Sequence, residues 1–76
     1  MQKERNLSQL KIGESAVVEK FSDEFLSLKF LEMGCLPGEQ IRMERIAPLG
    51  DPVIVNIDGY LMTMRKSEAE TIIISK

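Results

Sequence analysis

A chain of 76 residues leaves room for one domain spanning 1–76, because so short a polypeptide buries only roughly 60 % of its unfolded surface on folding. With 43 % hydrophobic and 29 % charged residues it has the composition of a folded domain rather than a disordered segment. Ten Lys and Arg against twelve Asp and Glu are scattered along the chain with a net charge of −2, which argues against a nucleic-acid partner; one cysteine and no histidine remove an internal disulfide and the commonest general base.

In chain order, Leu7 and Leu10 stand three apart before Gly13, the spacing of a single helical or 3₁₀ turn that lays Leu7, Leu10 and Ile12 on a core extending over about 7–75. Ala16, Val17 and Val18 predict a first strand over 14–20. Ser22 is placed to cap a helix running from about Asp23 to Met33, with Asp23 and Glu24 favouring its first turn, Phe21 stapling onto Leu26 and Gly34 closing it. Leu36-Pro37-Gly38-Glu39 has proline and glycine at the central positions of a type II turn.

Gln40 to Ala47 alternates apolar and polar residues as a half-wet strand does, and the alternation fails at Arg45 and Ile46, where a bulge is expected. Two prolines and Gly50 make Pro48 to Pro52 a loop. Asp58-Gly59 predicts a tight hairpin between Val53–Ile57 and Tyr60–Arg65. Ser67 is expected to cap one helical turn through Glu70, and Thr71 to Ser75, rich in β-branched Ile, reads as a closing strand. The sum is a mainly β chain, about five short antiparallel strands and one α-helix, best accommodated as an SH3-like small barrel that removes its own edges by closure.

No apolar run approaches the ~20 residues that span a bilayer, and the polar start lacks the apolar stretch of a secretory signal, so a cytoplasmic protein without membrane insertion is expected. Cys35 has no base to activate it and reads as a small buried hydrophobe. Met33, Met43, Met62 and Met64 fall at apolar positions and read as core filling. No metal-ligand spacing occurs, which leaves only weak contact through Asp, Glu, Met or Cys35. At about 100° per residue the helix carries two apolar stripes, Leu26, Phe30 and Met33 on one side and Phe25, Leu28 and Leu31 on the other. The first covers the barrel. The second is either roofed by the segment with Leu7 and Leu10, the expected arrangement, or left for a partner.

The run Lys29-Phe30-Leu31-Glu32-Met33-Gly34-Cys35-Leu36-Pro37-Gly38 resembles the signature of the FeoA family, small cytosolic proteins of bacterial ferrous iron transport. Ala47-Pro48-Leu49-Gly50-Asp51-Pro52-Val53 is similar to the family's PLGDP loop, Leu61 to Ala69 to its closing strand and turn, and Leu7-Ser8-Gln9-Leu10 with Gly13 to its opening. Lys29 stands where arginine is usual, Met64 where leucine is common and Cys35 at a position normally aliphatic; lysine cannot reproduce a bidentate guanidinium contact. The resemblance implies an SH3-like barrel, no catalysis of its own, and a protein partner, the membrane ferrous iron permease FeoB with its cytosolic GTP-binding domain. Candidate contact residues are Phe25, Leu28, Lys29 and Leu31 on the helix with Leu49, Gly50 and Asp51 in the loop. The alternative is a domain that senses or carries a transition metal such as Fe2+, with Glu32, Cys35 or Met side chains as ligands.

Overall fold

A computed structural model describes residues 4–75. The chain runs through β1 (Arg5–Asn6), a 3₁₀ turn (Leu7–Gln9), β2 (Ser15–Phe21), α1 (Glu24–Glu32), β3 (Gln40–Ile46), β4 (Val53–Ile57), β5 (Tyr60–Met64), α2 (Lys66–Ala69) and β6 (Ile72–Ser75). All pairings are antiparallel, in the order β1-β6-β2-β3-β4-β5. Among the described residues β1 and β5 do not pair with each other, so the barrel keeps two edges instead of removing them by closure as expected, five residues of β5 having only the two-residue β1 at the far end of the order. The expected strands are present, and the two-residue β1 beside β6 adds a sixth that is too short to show a period in sequence.

Two irregularities in the ladders shape the core. The register of β2 on β6 slips between Val18 and Lys20. One extra residue reverses the in-and-out alternation, so Ala16 and Val18 face inward before the slip and Phe21 after it. Phe21 thereby stacks on the buried Phe30 of α1, with ring centroids 5.7 Å apart. The same device in β3, between Met43 and Arg45, follows inward Ile41 and Met43 with Ile46 instead of Arg45, which is the bulge expected from the broken alternation.

Phe21 therefore ends β2, one residue beyond the expected strand. The cap of α1 falls on Asp23, whose Oδ1 accepts from Leu26 N at 2.8 Å. Ser22 lies one residue before that cap and donates its N–H to the Thr71 carbonyl at 2.8 Å, which corrects the expected cap. The helix closes as a Schellman motif: Gly34 has φ +90°, its N–H donates to Leu31, and that of Cys35 donates to Phe30. At 36–39, Glu39 N–H donates to Leu36 across Gly38 at φ +94°, the expected type II turn. Asp58 and Gly59, both with positive φ, close the β4–β5 hairpin.

Ser67 does not cap α2. Instead the Glu68 carboxylate accepts from Arg65 N at 2.9 Å, and Asp51 Oδ1, from the loop, accepts from Lys66 N at 2.9 Å. A single hydrophobic core joins Leu7 and Leu10, Ala16, Val18, Phe30, Cys35 and the inward residues of β3, β4, β5 and β6. Ile12, expected in that core, is 61 % exposed; Gly13 donates to the Met43 carbonyl at 2.7 Å with φ +89°, turning the chain into β2 just after it. Met43, Met62 and Met64 fill the core as expected, whereas Met33 sits at the closing turn of α1 and is half exposed, a correction to the core reading.

Candidate docking surface

The nine-residue helix α1 rests on the barrel through Phe30, with Leu26 packed beside it. Around the helix, Phe25, Leu28 and Leu31 fall outside that contact and stand 85 %, 64 % and 39 % exposed. Leu7 and Leu10 do not roof them; both are consumed by the core, where the 3₁₀ turn packs against α2 and β6. The expected roof is thus overturned, and the second stripe is open. Past the helix end, Met33 and Leu36 prolong the apolar surface. These two were absent from the candidates, because periodicity assigned Met33 to the inner stripe and Leu36 only to a turn.

Two polar contacts fix this face to the rest of the fold. Lys29 Nζ reaches Glu68 Oε2 at 2.7 Å, joining α1 to α2. The hydrogen bond from Lys29 and that from the Arg65 backbone hold the Glu68 carboxyl below its usual range. Lys29 is therefore engaged within the molecule, a role that spacing could not reveal because its partner is 39 residues away. The Asp51 bond to Lys66 N ties the 48–52 loop to the start of the same short helix. In that loop Gly50 adopts φ +88° and donates to Ala47 at 2.7 Å, and Ala47 N–H donates to Pro52, which leaves Leu49 at the tip, 97 % exposed. The helix face and the loop tip are thus both anchored on α2: Asp51 and Lys29 as anchors, Phe25, Leu28, Leu31 and Leu49 as accessible apolar groups, Gly50 as the turn.

The two candidate metal ligands lie in opposite settings, one sealed in the core and one in solvent. Cys35 is fully buried, and burial pushes its thiol up to about 11, with Glu39 adding to the effect. Glu32 points to solvent. Among the described residues no three His, Cys, Asp or Glu side chains are grouped so as to hold a metal ion. A polar groove of about 440 Å³ opens beside Arg42, Glu39, Glu44 and Asp58 and is lined by neither Cys35 nor Glu32. No helix among the described residues is long and apolar enough to cross a membrane.

Comparison with known proteins agrees with this geometry. Residues 5–76 match the family model described as the FeoA domain. Over 67 residues, 87 % of the chain, it is 36 % identical to a Porphyromonas gingivalis protein named as a fusion of Fe(2+) transport protein A with the Fe(2+) transporter FeoB, of which the match covers only 8 %. The fold superposes on the solution structure of a FeoA protein from Chlorobium tepidum with a TM-score of 0.86 at 38 % identity, covering 93 % of this chain and 69 % of that one. It superposes on the crystal structure of Stenotrophomonas maltophilia FeoA complexed with zinc, described as a prokaryotic SH3 domain protein, with a TM-score of 0.83 at 30 % identity, covering 93 % and 89 %.

Proposed function

We propose a docking role for this chain, which belongs to the FeoA domain family: it binds the cytosolic, GTP-binding part of a FeoB-type ferrous iron permease through the outer face of α1 and the 48–52 loop, as an accessory protein of iron uptake. The observation that carries the reading is the open apolar stripe of Phe25, Leu28 and Leu31 on a helix that the Lys29–Glu68 pair joins to α2. A small domain does not leave a phenylalanine 85 % exposed next to two leucines for the benefit of its own stability, and contiguous apolar surface of this kind marks interaction sites. The fused relative supports the choice of partner, since in that protein a similar domain and the transporter share one polypeptide. Tethering raises the local concentration of a partner, so a patch smaller than a standard interface side of ~800 Å² suffices there.

The test is a titration of isotope-labelled chain with the GTP-binding portion of a cognate permease, loaded with GDP and then with a GTP analogue. Amide shifts confined to 25–36 and 48–52 are expected, and a difference between nucleotides identifies a regulator. The Phe25→Asp, Leu28→Asp double variant keeps the wild-type circular dichroism, because both residues lie outside the core, and loses the shifts. Shifts elsewhere on the barrel, or none with either nucleotide, overturn this docking mode.

A further inference from the structure

A second surface lies on the opposite kind of element, the free edge of the sheet. β5 is terminal in the strand order, and among the described residues no strand lies on its outer side. Counting from the Ile57–Tyr60 pair that closes the two-residue turn, Tyr60, Met62 and Met64 exchange hydrogen bonds with β4. Leu61 and Thr63 accordingly direct their N–H and C=O groups to the open side. The strand Tyr60-Leu61-Met62-Thr63-Met64 contains neither a charge nor a proline, the devices that ordinarily keep an edge from pairing. Tyr60 and Leu61 are 73 % and 70 % exposed. The charges lie at the two ends, Asp58 before the strand and Arg65 and Lys66 after it, all exposed, and none belongs to an ion pair among the described residues.

We propose that two copies of the chain pair antiparallel through β5, with Met62 facing its counterpart on a two-fold axis. Leu61 then lies opposite Thr63 of the second copy, and each such pair exchanges both of its backbone hydrogen bonds. Antiparallel pairing also brings the turn end of each β5, with Asp58, to the far end of the other, with Arg65 and Lys66, so opposite charges approach at both ends of the seam. The surface is thus self-complementary, as a two-fold interface requires. It leaves the α1 face free and does not depend on the docking reading.

Sedimentation equilibrium of the full chain from about 10 μM to about 1 mM covers the affinities expected of a few backbone bonds with little apolar area. Amide exchange measured at both ends of that range supplies the second readout. A dimer is expected at the upper end, with the Leu61 and Thr63 amides slowing as concentration rises. Thr63→Pro removes an outward donor without touching the β4 ladder, which an edge strand accepts, and gives a monomer with unchanged circular dichroism. Asp58→Asn weakens the dimer about three- to tenfold, and raised salt weakens the wild type likewise. A chain monomeric throughout overturns the proposal. So does a dimer whose Leu61 and Thr63 amides exchange as in the monomer, including one abolished instead by the Phe25→Asp, Leu28→Asp variant.

Discussion

Glu68 joins two elements at once: it caps α2 through Arg65 N and binds Lys29 of α1, so two helices meet on one carboxylate. Because its pKa is lowered in the folded chain, its contribution is complete above the ordinary glutamate value of about 4.3 and fades as pH falls through the folded value. Glu68→Gln is therefore expected to lose about 1 kcal/mol at pH 7 and markedly less near pH 3, read from urea midpoints at the two values. Asp51→Ala, which strips an acceptor from the first turn of α2, costs about 1 kcal/mol on the same scale, whereas Asp51→Asn keeps an acceptor and costs little. Cys35 is inert for a converse reason. A thiol pushed up to about 11 is ionised to only roughly 0.1 % at pH 8, and this one is also sealed from solvent. Ellman's reagent should react with it only as the chain unfolds, so that at fixed pH the rate rises steeply with urea.

At the level of elements, the two ladder slips decide which residues can touch. Without the slip in β2, Lys20 rather than Phe21 would take the inward position, and the stack on Phe30 that seats α1 would be lost. The β4–β5 hairpin is the most autonomous element, since Asp58 and Gly59 supply both positive φ angles and Asn56 Oδ1 accepts from Gly59 N at 3.0 Å. Gly59→Ala meets open space but must hold φ near +87°, so a loss of about 1 kcal/mol is expected from conformation alone, measured by thermal or urea unfolding. These turns were legible in sequence because their chemistry is local. The bulge in β3 was legible too, through its broken alternation. The slip in β2 was not, since Glu19 and Lys20 are both polar and either parity reads as a plausible wet face.

For the molecule as a whole, stability on the order of 4–11 kcal/mol is typical of a chain this size. Phe30→Ala, which empties the fully buried contact between helix and barrel, costs about 3–5 kcal/mol, a large share of that total, and is expected to lower the urea midpoint and melting temperature steeply by circular dichroism. Leu49→Ser, at a fully exposed loop tip, is expected to change stability by less than about 0.5 kcal/mol while weakening partner binding. That contrast separates the residues holding the barrel from those left on its surface. The five longer strands, the closing glycine of α1, the Pro-Gly and Asp-Gly turns and the family were all determined by sequence alone, because each is encoded within a few residues by period, φ preference or contiguous motif. Which apolar stripe stays open, that Lys29 is already paired, that Ile12 and Met33 face water and that Leu7 and Leu10 do not roof the helix were decided only by tertiary structure. Those outcomes depend on contacts between residues far apart in the chain, and apolar periodicity states that a face wants cover without saying what is close enough to provide it.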